Sequence, residues 1–479
     1  MKIPWVSARE QKELNALLWL VACGFFMQTL DATIVNTALP AMARSLGESP
    51  LRMQSVVVSY SLTMAMLIPA SGWIADRFGT RRVYVGAIAM FVVGSLLCAA
   101  SASLTQLVAA RVVQGMGGAL LLPVGRLSVL RSFPRSHFLP AMSFVAIPGL
   151  IGPLMGPTLG GWLVEVASWH WIFLINLPVG LVGAVATLIY MRGAPLEQAA
   201  RFDLVGYLLL AFGMVCVSLA LDGMSSLGLS HAGVLLLIIF GLASLSSYWL
   251  HAARHDNPLF PPDLFSNPSL SVGLLGNLFS RLGSSGMPLM VPLLLQLSMG
   301  YSPFHAGMMM LPVALAAMTV KRLVTTLITR VGYRRVLVVN TMLLGLIMAS
   351  FALASPDHPW WVLSLQLTCF GAVNSLQFTS MNTLTLKDLD PNHASSGNAL
   401  LSMVQMLAIG MGVASAGGVL AAFTGLFGSA TSAQTLNAFH ATFVCMGLMT
   451  LASASIFWQL TPGDSRVPQS ASPEVSDPG

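Results

Sequence analysis

Charge is what this chain of 479 residues has least of: Asp, Glu, Lys and Arg together make up 8% of it, against roughly 25% in soluble globular proteins. Seventeen acidic and twenty-three basic side chains cannot clothe the surface of a soluble domain of this length. With 55% of residues hydrophobic and a mean hydropathy of +0.77, the chain is suited to a bilayer, where every backbone polar group is paired inside a helix. A soluble enzyme, a nucleic-acid binder and a disordered tail protein are excluded. An outer-membrane barrel is disfavoured, because alternating strands give a much weaker signal per segment. Cysteine is scarce too. Cys23, Cys98, Cys216, Cys369 and Cys445 lie in separate apolar stretches, which is neither a disulfide framework nor a metal site. There is no Walker loop and no pairing of histidine with an acid at metal spacing, and the nine histidines fall mostly near span ends. No enzyme, cofactor or metal is expected.

Long apolar runs are what the chain does have. A helix needs about 20 mostly apolar residues to cross the hydrocarbon core. That ruler places spans near 14–39, 53–75, 83–103, 106–130, 138–165 and 170–191, then 203–222 and 231–251. Six more fall near 269–297, 304–328, 335–354, 359–386, 395–422 and 439–460. The basic N-terminus followed by an apolar run has the look of a signal peptide, but the run from Leu14 to Leu39 is too long and contains Asp31; it reads as the first span.

Basic residues concentrate in cytoplasmic loops. With fourteen spans and both termini inside, eighteen of the twenty-three Lys and Arg fall on the cytoplasmic side. Arg44 and Arg52 fall outside, and Arg111, Arg126 and Arg281 lie within spans. The net charge of +6 is thus explained by topology, and nucleic acid is not needed as a partner. The expected fold class is an all-α membrane protein with two six-helix bundles and two extra central helices. Its units are 1–192, a two-helix insertion at 193–254, a connecting loop at 255–268, a second bundle at 269–460 and a cytoplasmic tail at 461–479. The stretch Arg330-Val-Gly332-Tyr-Arg334-Arg335 repeats the end of Asp76-Arg77-Phe-Gly79-Thr-Arg81-Arg82 without the aspartate. Duplicated halves of this kind can alternate access around a midplane site.

Several motifs extend this reading. Leu30-Asp31-Ala-Thr33-Ile-Val-Asn36-Thr-Ala-Leu-Pro40 lies in the first span, and the loop motif runs from Gly72 through Asp76, Arg77, Gly79 and Arg81. Arg111-Val-Val-Gln114-Gly115-Met-Gly117-Gly118-Ala119 occupies the fourth span. Gly152, Pro153, Gly156, Pro157 and Gly160 mark the fifth, followed by Trp169-His170-Trp171 and Asn176-Leu-Pro178-Val-Gly180. In these stretches the chain resembles the major facilitator superfamily, and within it the fourteen-span drug/proton antiporter branch. The resemblance implies that Asp31 and Arg111 take part in proton coupling.

Each motif also has a reading of its own. Asp31 is the one carboxylate deep within an expected span, and an ion there costs several kcal/mol unless paired or protonated. Arg111 is its natural partner. Burial favours the neutral acid and the arginine favours the carboxylate, so a modest change of surroundings can move the proton; a permanent ion pair joining two helices is the alternative. Gly152, Gly156 and Gly160 form one smooth helix face, expected at a contact between the halves, and Pro153 and Pro157 permit a bend. Asp76 is placed to accept hydrogen bonds from a helix N-terminus in the other half, at Ser395 or Ser396, as a latch.

Substrate contacts are expected among Phe25, Phe26, Met27, Gln28, Gln114, Asn277, Gln296, Asn374, Gln377, Asn382 and Gln405. Arg126 and Arg281 join them, because a buried guanidinium without a carboxylate partner is a ready site for a carboxylate or phosphate. The sequence therefore points to a monomeric proton-coupled antiporter of the bacterial inner membrane exporting small molecules, of multidrug-efflux type. Export of organic anions such as citrate or its metal chelates is the rival reading. A uniporter or a transporter-like sensor stands third. The expected partners are the lipid bilayer, the small-molecule substrate and protons.

Overall fold

The computed structural model describes residues 8–133, 135–191, 202–223, 230–389, 394–428 and 431–460, and every regular element among them is helical. The first span is α1 (Ala8–Leu46). The second is α2 (Gln54–Leu67) and α3 (Ser71–Phe78), joined by a short 3-10 turn. Next come α4 (Thr80–Ala99), α5 (Leu104–Ser132) and α6 (Arg135–Val166), with α7 (Trp171–Leu174) leading into α8 (Asn176–Tyr190). The insertion is α9 (Leu204–Gly223) and α10 (His231–Ala252). In the second half α11 (Pro268–Ser284) and α12 (Met287–Leu297) share one span, and α13 (Pro303–Met308) and α14 (Leu311–Val331) share the next. Then come α15 (Tyr333–Ser350), α16 (Trp360–Leu386), α17 (Ala394–Phe427) and α18 (Ser432–Trp458).

These make fourteen helical columns among the described residues, as the apolar runs predicted. Thirteen are long and apolar enough to cross a membrane by composition alone. The remaining one, α16, has 27 residues, or about 40 Å of helix, but carries Gln366, Asn374, Gln377 and Asn382. Length qualifies it where hydropathy does not. The expected tail at 461–479 and the basic residues Lys2, Arg192, Arg201 and Arg466 lie outside the described residues.

Packing repeats between the halves. α1 packs on α6 as α11 does on α17, α2 on α5 as α14 on α16, and α4 on α8 as α15 on α18. Two glycine turns repeat as well. Gly79 starts α4 at φ 85° and Gly332 starts α15 at φ 86°, a left-handed backbone that only glycine adopts without strain. At the opposite end of the bundle the turns are closed by hydroxyl caps. Ser103 accepts from the Gln106 N–H, Ser302 from His305, and Thr431 forms a reciprocal capping box with Gln434, each satisfying helix donors that would otherwise be orphaned. The insertion hairpin packs α10 chiefly on α9 and leaves Leu235, Leu236, Ile239, Phe240 and Leu250 exposed, as a helix facing lipid should.

Candidate functional site

Asp31 and Arg111 meet in the interior of the first half. Asp31 is 1% exposed and Arg111 1% exposed, and Arg111 Nη1 donates to Asp31 Oδ2 at 2.6 Å. One turn along α5, at the i,i+3 spacing that puts side chains side by side, Gln114 Oε1 accepts from the same Nη1 at 2.6 Å. Its amide Nε2 donates to Asp31 Oδ1 at 2.7 Å and to Ser95 Oγ at 2.8 Å. Asn176, at the start of α8, donates to Asp31 Oδ1 at 3.1 Å and contacts Ser95 at 3.3 Å. Arg111 Nε reaches the Val56 carbonyl at 3.2 Å, and its guanidinium lies 4.1 Å from the Tyr60 ring centroid and 5.8 Å from that of Phe173. Residues from five of the six columns of the first half thus join one network around this carboxylate. Each Asp31 oxygen accepts at least one charged or amide donor, which is what keeps an ion tolerable at this depth.

Within the network Gln114 is a bridge between the acid and the arginine. Its carbonyl holds the arginine while its amide holds the acid, so loss of charge on one partner is felt directly by the other. Asn176 and Ser95 were not predicted for the site. Asn176 lay in a stretch already singled out, but 145 residues separate it from Asp31, and only the three-dimensional fold gives its orientation.

The other expected site residues scatter. Arg281, on α11, bonds through Nε to Asn277 Oδ1 at 3.2 Å and stacks over Phe378 with 4.4 Å to the ring centroid. Its Nη2 is buried without a hydrogen-bond partner, as is Nε of half-buried Arg126 on α5. Gln28 reaches only the Met64 sulfur, at 4.0 Å, with its Oε1 unpaired. Phe26 and Asn374 are half-buried. Gln377 is tied into the second half, accepting from Asn340 at 2.8 Å and donating to Thr341 at 2.7 Å, and Gln405 is bonded to Asn382 at 2.6 Å. Gln296 donates to the Thr37 carbonyl at 3.0 Å, which makes it part of a contact between halves.

The glycine stripe lies elsewhere than expected. A Cβ on Gly152, Gly156 or Gly160 would strike Thr29, Thr33 or Ile34 and Thr37 of α1, so the stripe lets α6 approach α1 inside the first half and not across halves. Pro153 and Pro157 leave α6 continuous from Arg135 to Val166. The contact across halves is made by its neighbour. A Cβ on Gly161 would lie 2.2 Å from the Pro303 carbonyl oxygen, and one on Gly307 would lie 2.2 Å from that of Pro157. Thr158 Oγ1 donates to the Gly307 carbonyl at 3.2 Å, and the Phe304 N–H donates to Glu165 at 3.0 Å. This seam joins α6 to α13 at the capped end of the bundle.

At the opposite end, Asp76 accepts from Arg131 of α5 at 2.6 Å, a partner in its own half rather than Ser396 of the second; the side chain of Ser395 lies outside the described residues. Arg81 donates to the Leu188 carbonyl, Arg77 is exposed, and Gly72 has open space around its Cα. Groups that the sequence keeps far apart meet in three dimensions near the foot of the α9–α10 hairpin. Asp203, His251 and His255 offer ligand atoms within 4.8 Å of one another; 48 residues separate the aspartate from the nearer histidine, and folding of the hairpin closes that gap.

A model of the Major Facilitator Superfamily matches residues 21–413. The chain is 51% identical to a protein of Pectobacterium carotovorum named "Putative multidrug resistance protein MdtD", over 96% of this chain and 98% of that one. It is 52% identical to a protein of the same name from Serratia proteamaculans, over 92% of each. Among solved structures, it is similar to a POT family transporter in complex with 5-aminolevulinic acid (TM-score 0.70, 15% identity, 95% of this chain and 97% of that one). It is also similar to a D-xylose-proton symporter (TM-score 0.65, 14% identity, 94% and 98%). At such identities the structural likeness speaks for the fold alone.

Proposed function

This chain belongs to the major facilitator superfamily, and from that premise we propose that it is a secondary transporter of multidrug-efflux type, exporting small molecules in exchange for protons. The observation that carries the proposal is the carboxylate of Asp31, buried in the interior of the first half and held by Arg111, Gln114 and Asn176. In the ionised form Asp31 neutralises Arg111. A proton from outside removes that charge, and Arg111 is left buried with only Gln114, the Val56 carbonyl and the Tyr60 and Phe173 rings. Breaking a buried pair in this way costs about 3–5 kcal/mol, enough to shift a two-state equilibrium by two orders of magnitude or more. Helix rearrangement then relieves the cost.

Basic residues at the Gly79 and Gly332 end mark it as cytoplasmic, with both termini on that side and the inner membrane of a bacterium as the site of action. The α6–α13 seam then closes the outer face in this state. The units 1–192 and 269–460 act as the two moving bundles, with 193–254 as an inserted hairpin. The relatives named as multidrug resistance proteins support a substrate of broad chemistry. Purified protein in vesicles with an imposed pH gradient tests the proposal: substrate addition should accelerate proton flux, and substrate movement with no proton flux would identify a uniporter.

A second reading concerns the charge of the substrate. Unpaired guanidinium nitrogens on Arg126 and Arg281 favour an organic anion, including a carboxylate or its metal chelate. Thermal-shift screening of cationic dyes, neutral drugs and organic acids separates the two. Stabilisation confined to acids, lost in Arg281→Ala, supports the anion.

A further inference from the structure

We propose that Asp203, His251 and His255 form a binding site for a divalent transition-metal ion such as Zn²⁺ at the foot of the α9–α10 hairpin. Asp203 caps α9: its Oδ1 accepts the Gly206 N–H at 2.8 Å, and its Oδ2 accepts the Leu259 N–H of the connecting loop at 3.3 Å. The carboxylate is buried and oriented before any ligand arrives. His251 sits in the last turn of α10 with its Nε2 2.8 Å from Asp203 Oδ1. Four residues on, His255 brings a second ring, 5.0 Å from the first between centroids.

Two imidazoles and one carboxylate, with a fourth position open to water, are the donor set of an open zinc site. Zinc–ligand bonds of about 2.0–2.2 Å place ligand atoms roughly 3.3–3.6 Å apart, and the three atoms here are already within 4.8 Å of one another. His255 is exposed, so rotation of its side chain can close the remaining distance without moving a helix. Hydrogen bonds from backbone N–H groups to the aspartate are the kind of outer support that fixes a ligating carboxylate. The metal would tie the start of α9 to the end of α10 and to the loop, which also meets the hairpin through the Tyr248 hydroxyl at Phe260. It would do so beside the loop motif, because the ring of Phe202, next to Asp203, lies 4.9 Å from that of Trp73. The site would therefore brace the end of α10, whose main contact in the fold is α9.

The test uses the full-length protein without an added histidine tag, purified in detergent and stripped with a chelator. Zinc chloride at about pH 7.5, where imidazoles are free to ligate, should bind with one saturable equivalent per chain and raise the melting temperature; magnesium chloride should do neither. His255→Ala removes an exposed side chain and should leave the melting temperature of the metal-free protein unchanged while weakening zinc binding roughly tenfold or more. His251→Ala should weaken it similarly. Non-saturable zinc uptake by the unaltered protein, or an affinity in His255→Ala within about twofold of the original, would overturn the assignment.

Discussion

The two halves carry matching polar clusters that differ in charge. In the first, Gln114 on α5 reaches Ser95 on α4, three residues beyond Arg111. In the second, Gln377 on α16 reaches Thr341 on α15, three residues beyond Asn374, and Asn340 completes the set. Each glutamine stitches equivalent spans of its bundle, but the first half adds Asp31 and Arg111 where the second is neutral. A neutral amide cluster does what packing needs, satisfying buried groups at low cost. A charged one costs several kcal/mol of desolvation to build, which is why the proposed proton chemistry is assigned to the half that carries it.

The comparison can be broken most severely by unbalancing the charged cluster. Arg111→Ala strands a buried carboxylate, and should lower stability by about 3–5 kcal/mol and abolish gradient-driven export; a melting temperature near that of the unaltered protein would show that the pair is not a structural necessity. Gly307→Val acts where the halves meet. Its first side-chain carbon would collide with the backbone of Pro157, so the seam cannot close, and a cysteine placed at Thr158 in a background without the five native cysteines should become reactive to a membrane-impermeant maleimide added from outside. Unchanged labelling would contradict the seal.

Gentler changes sharpen the contrast. Arg281→Ala removes a guanidinium whose Nη2 has no partner, and should cost little stability while weakening binding of organic acids by roughly tenfold. Equal loss for cations and acids would show a structural role instead. Gln377→Ala should cost only about 1–3 kcal/mol through the partners left unsatisfied, with proton-coupled transport retained; loss of coupling there would erase the distinction between the halves.

Much of this was legible in the sequence because a bilayer leaves few choices. Apolar runs of the right length gave the fourteen columns, and even α16 was found by length where its amides blur the hydropathy. Asp31 and Arg111 were legible as a pair since two isolated opposite charges in apolar surroundings need each other. What could not be read was rotation about helix axes. Gly152, Gly156 and Gly160 announced a close contact but not that its other side is Thr29 and Thr33 of the same half. Asp76 announced a hydrogen-bond acceptor but not Arg131 as its donor. Asp203 looked like the start of a span, and its role as a cap beside two histidines depends on how the α9–α10 hairpin closes.

Asp31→Asn provides the most direct measurement, since the amide keeps the shape and loses the titratable charge. In vesicles with an imposed pH gradient, the variant should fold and insert normally, bind substrate, and show neither gradient-driven export nor substrate-dependent proton flux. Undiminished proton-coupled export by Asp31→Asn would contradict the account.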